Sequence, residues 1–148
     1  MNKLCIYYSL SGNCDVVAEK LKSNGYSIVK VITKKKMPNN KFLRILICGY
    51  KATIGYKDSI ENININIDDY EKIVIVSPIW NDRLASPINA LLDKVHIKSK
   101  SLTFVLCSGS GKADKASQFI NANFSDCKII NLANPKKNFS ELDKLKKL

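Results

Sequence analysis

Residues 72–78 have the sequence KIVIVSP, in which four consecutive β-branched residues precede a serine and a proline. Such a continuous apolar run is typical of a strand in a parallel sheet that is covered on both faces. A helix is predicted after the next loop, with Ser86 as its N-cap and Pro87 in its first position. Its apolar residues recur on one helical face: Ile88, Leu91, Leu92 and Val95.

Strands and helices alternate in both directions from this segment. The other predicted strands are residues 3–8, 27–32, 101–111 (ending in a glycine loop) and 127–133. The other predicted helices are residues 15–25 (with Asn24-Gly25 as a stop signal), 41–52, 112–123 and 140–148 (capped by Ser140). Three side chains of the helix 112–123 are expected to face inward: Ala116, Phe119 and Ile120. Residues 53–70 are predicted to be mostly loop, with NININI at 62–67 as an edge strand or an excursion.

This alternation predicts one α/β domain over residues 1–148, with a doubly wound sheet of five parallel strands and helices on both faces. Ligands of such sheets bind beyond the carboxyl ends of the strands. Three polar loops are expected at that edge: 9–14, 77–83 and 107–112.

The composition is globular but strongly basic. Hydrophobic residues make up 45% of the chain, and 24 Lys and Arg against 13 Asp and Glu give a net charge of +11. We interpret the lysines as a solvated surface, and no nucleic-acid partner is predicted because no RRM, KH or helix-turn-helix pattern accompanies them. The sequence shows no membrane span and no signal peptide, so we expect a cytoplasmic protein without a membrane partner.

Several site chemistries are excluded by their motifs. The five cysteines form no CxxC pair and His96 is the single histidine, so no metal site is predicted. Cys5, Cys107 and Cys127 are expected to be small buried apolar residues. The chain has no G-x-G-x-x-G, no complete P-loop around Gly111-Lys112, no phosphatase loop and no G-x-S-x-G elbow, so no catalytic residue is predicted.

The first loop carries the groups that a phosphate site needs. Ser9, Ser11 and Asn13 offer polar side chains, Gly12 permits close approach to the backbone, and a helix N-terminus follows. A plain capped turn between a strand and a helix has the same composition, so both interpretations stay open from these residues alone.

The three loops together resemble those of the flavodoxin family. YSLSGNC at 8–14 is similar to its FMN phosphate loop, SPIWN at 77–81 followed by Ser86-Pro87 is similar to its aromatic loop, and CSGSG at 107–111 matches its third cofactor loop. The resemblance covers the whole chain and implies the strand order 2-1-3-4-5. The implied FMN-binding residues are Ser9, Leu10, Ser11, Gly12, Asn13, Cys14, Ser77, Pro78, Ile79, Trp80, Asn81, Cys107, Ser108, Gly109, Ser110 and Gly111.

The resemblance also implies a role for each loop. Residues 9–14 would hold the phosphate, Trp80 would stack on the flavin ring, and residues 108–111 would flank its pyrimidine edge. The backbone around Trp80, Asn81 and Asp82 would face the reactive N5, where Asn81 tolerates the positive φ that a turned carbonyl requires.

This sequence departs from the family at several points. Cys14 replaces a threonine, and its place at a helix N-terminus predicts a lowered thiol pKa. Asp15 is expected to repel phosphate somewhat, and the third loop has no aromatic residue. The charge of +11 contrasts with the acidic members of the family.

The predicted function is electron transfer through bound FMN to a partner protein, which the basic surface suggests is acidic. A small FMN-dependent oxidoreductase acting on NAD(P)H and a quinone is the alternative, and a cofactor-free binding module with a basic surface is a third. We expect a monomer or a homodimer.

Overall fold

The computed structural model describes residues 1–97 and 101–148. The strands are β1 Lys3–Tyr7, β2 Ser27–Lys30, β3 Lys72–Trp80, β4 Arg83–Leu84, β5 Ser101–Ser108 and β6 Lys128–Ala133. The α-helices are α1 Asn13–Ser23, α2 Lys41–Thr53, α3 Ser86–Lys94 and α4 Asp114–Asn123, and short 3₁₀ segments span Ile67–Asp69 and Phe139–Leu145. No helix in these two ranges is long and apolar enough to cross a membrane.

The sheet has a parallel core in the order β2-β1-β3-β5-β6. The KIVIVSP segment forms its central strand, with Val74 opposite Cys5 of β1 and opposite Thr103 of β5. An α/β parallel sheet is therefore confirmed. The expected count of five strands was wrong in detail, because the two-residue strand β4 pairs antiparallel with the end of β3.

That extra strand converts an expected loop into a hairpin. Trp80 pairs with Arg83, which leaves Asn81 and Asp82 as a two-residue turn with φ values of 49° and 62°. Two consecutive left-handed residues match the twist of paired strands, and Asn and Asp tolerate that conformation better than other non-glycine residues. The positive φ expected at Asn81 is confirmed, and β3 extends two residues further than predicted.

Alternating residues of the central strands build two apolar layers. On one face Ile73, Ile75 and Phe104 pack with α3 and α4, and on the other Val74 and Val76 pack with α1. Parallel strands that are buried on both faces require this continuous apolar pattern. The sheet therefore holds the carboxyl ends of β1, β3, β5 and β6 rigidly at one edge.

Some local predictions were wrong. Phe119 is 46% exposed rather than inward, because only Ala116 and Ile120 of α4 reach the core. The terminal helix is the 3₁₀ segment from Phe139, and the Ser140 hydroxyl bonds Asn138 instead of capping it. Two further differences concern α3, whose N-cap is Ala85 and not Ser86, and Cys127, which is only half-buried. The loop predicted for residues 53–70 is confirmed over 62–67, where the excursion and not the edge strand is found.

Helix α2 confirms the prediction for residues 41–52 but packs loosely. Its buried residues are Cys48 and Ala52, and it contacts α3, β3 and β4. Several of its large apolar side chains remain exposed: Phe42, Leu43, Ile45, Leu46 and Tyr50. It lies beside the carboxyl edge of the sheet, where Thr53 at its C-terminal end accepts a 2.6 Å hydrogen bond from the Asn81 amide.

Candidate functional site

The three loops singled out in the sequence meet at one cleft of about 150 Å³, which we call the loop cleft. It lies at the carboxyl edge of the sheet, where β1, β3 and β5 end. Its lining residues are Ser9, Leu10, Ser11, Asn13, Cys14, Pro78, Ile79, Trp80, Cys107, Ser108 and Gly109.

The other predicted site residues lie around this cleft without lining it: Gly12, Ser77, Asn81, Ser110 and Gly111. Ser77 is fully buried, where its hydroxyl donates to the Pro78 carbonyl at 2.8 Å and accepts the Ala85 N–H at 3.2 Å. It therefore stabilises the hairpin and is not available to a ligand. Asn81 instead lines a neighbouring, larger cavity beside α2.

The first loop presents an open helix end. Gly12 is the N-cap of α1 with φ 99°, and no side chain caps the helix there. The first N–H groups of a helix lack intrahelical partners and carry the positive end of its dipole. In the described parts of the chain, Ser9 Oγ is buried and has no hydrogen-bond partner. An uncapped N-terminus beside an orphaned hydroxyl is suited to an anion with several oxygens.

Lys136 is a site residue that the sequence reasoning missed. Its backbone N–H donates to Asn13 Oδ1 at 3.0 Å, and its ammonium donates to the Ser11 carbonyl at 3.2 Å. The same Nζ lies 3.0 Å from where a Gly12 Cβ would be. The signal was present, since β6 must also end at this edge and is followed by Asn-Pro-Lys-Lys at 134–137.

Asp15 does not place an unbalanced charge in the loop. The Lys30 ammonium lies 2.7 Å from its carboxylate, and the Tyr7 hydroxyl donates to the same oxygen at 3.1 Å. Burial raises the pKa of Asp15, but the bonds from Lys30 and Tyr7 outweigh it, so the pKa is lowered overall. Ser9 also stabilises this carboxylate, although the two groups do not reach hydrogen-bond geometry. The expected repulsion of an anion is thus largely neutralised by Lys30.

The lowered thiol pKa expected for Cys14 was wrong. Burial raises its pKa well above the ordinary value, and the neighbouring Cys107 thiol raises it further. Desolvation of a buried thiolate outweighs the favourable helix dipole here. Cys14 therefore stays a protonated, weak hydrogen-bond donor and offers no nucleophile to the cleft.

Trp80 lies in the β3–β4 hairpin, which is held by a contact to Tyr8 on one side and by α4 on the other. The Trp80 ring packs edge-to-face on Tyr8, with centroids 5.8 Å apart. The turn behind it is anchored to α4, because Asp82 accepts the Ala116 N–H at 2.9 Å with its carbonyl and the Lys115 N–H at 3.2 Å with its carboxylate. A half-buried indole on so rigid a support can present its face to a planar ligand.

The third loop is shaped by its own contacts. The Gly111 N–H donates to Ser108 Oγ at 2.9 Å, and Gly111 has φ 75° with the Ala133 Cβ only 3.0 Å from where its own Cβ would lie. Gly111 is thus required by the turn. Gly109 has open space on its Cβ side, so its backbone is the approachable one.

A second, larger cavity adjoins the loop cleft. We call this cavity of about 720 Å³ the α2 groove, because one wall is formed by α2 residues from Lys41 to Thr53. The residues that it shares with the loop cleft are Leu10, Ser11, Pro78, Ile79 and Trp80. Trp80 is therefore one of the residues that line both cavities.

No protein-family model matches the chain, and no curated protein matches it. Solved structures share its fold. A flavoprotein from Lactobacillus acidophilus NCFM, crystallised in complex with FMN, aligns with a TM-score of 0.73 and 23% identity over 94% of this chain and 97% of its own.

The apo form of a flavoprotein from the same organism aligns with a TM-score of 0.60 and 23% identity, over 90% of this chain and 91% of its own. A protein from Bacteroides eggerthii DSM 20697 aligns with a TM-score of 0.75 and 22% identity over 97% of this chain and 96% of its own. At these identities the likeness establishes the fold, which is that of small flavoproteins over nearly the full length of each chain.

Proposed function

We propose that the protein binds FMN in the loop cleft and transfers electrons through it. The observation that carries the proposal is the uncapped N-terminus of α1, beside which Ser9 Oγ is buried with no partner in hydrogen-bond geometry. An orphaned buried hydroxyl costs roughly 1–3 kcal/mol unless a partner reaches it. A phosphate at this helix end would accept its hydrogen bond, and the FMN complex of the Lactobacillus acidophilus flavoprotein supports the choice of ligand.

Different residues around the loop cleft suit the phosphate and the ring of FMN. Ser9, Ser11 and the first N–H groups of α1 would hold the phosphate, with the Lys136 ammonium beside them. Trp80 would stack on the isoalloxazine ring. The bound flavin supplies the capacity to accept and release electrons, while the protein supplies its position and electrostatic surroundings.

The test is an absorption spectrum of the purified protein, recorded before and after incubation with FMN and removal of the excess. We expect a two-band flavin spectrum that stays with the protein, and a Ser9→Ala variant that retains less flavin. Complete loss of flavin on desalting, from the wild type as much as from the variant, would contradict the proposal.

Replacing Lys136 with glutamine is expected to weaken FMN binding about fivefold to tenfold, because an exposed charge-assisted contact to phosphate is removed. Riboflavin lacks the phosphate, so its affinity should stay unchanged in the same titration. Lys137→Gln removes the same charge from the same turn without the contact to Ser11 and serves as the control. Equal losses for FMN and riboflavin would argue against a phosphate role for Lys136.

Replacing Asn81 with valine is expected to shift the one-electron reduction potentials of bound FMN, because a β-branched residue strains the backbone at φ 49°. Asn81→Gly accepts this φ and should leave the potentials near wild type. Thr53→Val removes the bond to the Asn81 amide without changing the turn, and so separates the two effects. Spectroelectrochemical titration measures each potential, and values unchanged in folded Asn81→Val would refute this role of the turn.

Transfer to a partner protein is the role we propose for these electrons. The net charge of +11 favours an acidic partner through electrostatic steering. The α2 groove favours a second candidate, a small oxidoreductase whose substrate lies next to Trp80. Steady turnover of NAD(P)H with a quinone by the FMN-loaded protein distinguishes the second role from the first.

A further inference from the structure

The α2 groove has the size of a small-molecule site. Its volume of about 720 Å³ falls inside the range of roughly 300–1,000 Å³ typical of ligand pockets. Its walls are the Trp80 and Leu10 side chains on one side and the exposed Ile45, Leu46 and Tyr50 of α2 on the other. Exposed apolar side chains grouped along a groove mark a binding surface more often than isolated ones.

Gly49 lines this groove without a side chain. It lies in the interior of α2, one helical turn after Ile45, where glycine costs about 0.5–1 kcal/mol relative to alanine. No atom lies within 4 Å of where its Cβ would be, so packing does not require the glycine. A larger side chain at this position of the groove wall would occupy space that is now open.

The charges in the groove have one sign. Arg44 and Lys41 line it, and none of the lining residues is an aspartate or a glutamate. Arg44 is half-buried and, within the described ranges, forms no ion pair, whereas Lys30, Lys51 and Lys57 are each paired with an aspartate. A partly desolvated guanidinium is stabilised by a carboxylate or sulfonate, which it can bind with two parallel hydrogen bonds.

The groove contains no reactive thiol. Burial raises the pKa of Cys48 to about 11, although Lys51 and Arg44 lower it in part. The thiol is therefore protonated at neutral pH, and a ligand here is held without a covalent bond.

We propose that the α2 groove binds a planar aromatic molecule that carries one anionic group, with its rings against Trp80 and its anion at Arg44. The α2 groove shares Leu10, Ser11, Pro78, Ile79 and Trp80 with the loop cleft, and the proposal places the molecule on the α2 side of Trp80, where it would bind at the same time as FMN. A second copy of the chain is a poorer occupant, because both copies carry +11 and the groove itself presents only positive charge.

Calorimetric titration with 2-naphthoate and 2-naphthamide tests the proposal, because the two probes share their shape and differ in charge. We expect saturable 1:1 binding of the naphthoate and at least tenfold weaker binding of the amide. Equal affinities would overturn the role of Arg44, and absence of naphthoate binding, or ultracentrifugation showing that the groove is closed by dimerisation, would overturn the site.

Two variants with matched controls locate the binding. Arg44→Gln should weaken naphthoate binding at least tenfold, whereas Lys22→Gln, which removes the same charge from α1, should not. Gly49→Leu should block binding, whereas Gly49→Ala should preserve it, and both should keep the helical circular dichroism of the wild type. Binding that survives Gly49→Leu would place the probe elsewhere.

Titrations with and without saturating FMN separate this proposal from the cofactor proposal. We expect naphthoate to bind in both cases. A protein that fails to bind FMN but binds naphthoate refutes only the proposed function. Competition between the two ligands would refute a separate site, because the groove would then belong to the flavin ring.

Discussion

The Gly12→Val variant is expected to lose FMN affinity by roughly a hundredfold, the sum of backbone strain and lost phosphate contacts. Gly12 has φ 99°, a conformation that a β-branched residue adopts only with strain. Its new Cβ would also lie 3.0 Å from the Lys136 Nζ and displace that ammonium from the loop. We expect a loss of about 1–3 kcal/mol in the free energy of unfolding as well.

Gly25→Val is the matched control for this prediction. Gly25 follows the other end of α1 with φ 87° and open space around it, so valine there brings strain without disturbing the cleft. Urea denaturation and FMN titration of both variants separate the two effects. Stability should fall in both and FMN affinity in Gly12→Val alone; equal affinities in the two variants would mean that Gly12 has no part in the binding of phosphate.

The Trp80→Ala variant is expected to weaken FMN binding about 10-fold to 100-fold, because stacking of a planar ring on an aromatic side chain contributes roughly 1–3 kcal/mol. The change also removes the edge-to-face contact with Tyr8 at 5.8 Å. Since the indole is only half-buried, we expect about 1–3 kcal/mol of lost stability, below the cost at a fully buried aromatic residue.

Trp80→Phe is the control that keeps an aromatic side chain in the hairpin. Phenylalanine keeps an aromatic face and the pairing with Arg83, so its FMN affinity should lie between those of the wild type and the alanine variant. Fluorescence of bound FMN, quenched by a stacked indole, gives a second measurement. Undiminished affinity together with unchanged quenching in Trp80→Ala would show that the ring does not stack there.

The apolar patterns made the sheet predictable. Both faces of the KIVIVSP strand are apolar and are buried only if helices cover the sheet on both sides. The same pattern predicted β1, β5 and β6. The hairpin was missed because β4 has only two residues, too few for a periodic signal. Its turn residues Asn81 and Asp82 were nevertheless the local sign of it.

The site was predictable where it depends on the ends of strands, and not where it depends on long-range contacts. Three loops after parallel strands had to meet, and they do. Lys136 lies more than 120 residues from the Ser11 carbonyl that it contacts, so no local pattern pairs them. Cys14 was misjudged because its position at a helix end is a local property, whereas its burial beside Cys107 depends on the packed fold.

Trp80 forms a wall of both the loop cleft and the α2 groove, and this shared wall links the two cavities thermodynamically. The ligand that binds first in either cavity restricts the Trp80 side chain and incurs the loss of its conformational entropy. The ligand that binds second, in the other cavity, does not incur that loss again. We therefore expect positive cooperativity between the two proposed ligands even without a change of backbone structure. Because binding free energies are reciprocal, the factor by which the first ligand tightens the second equals the factor in the opposite order.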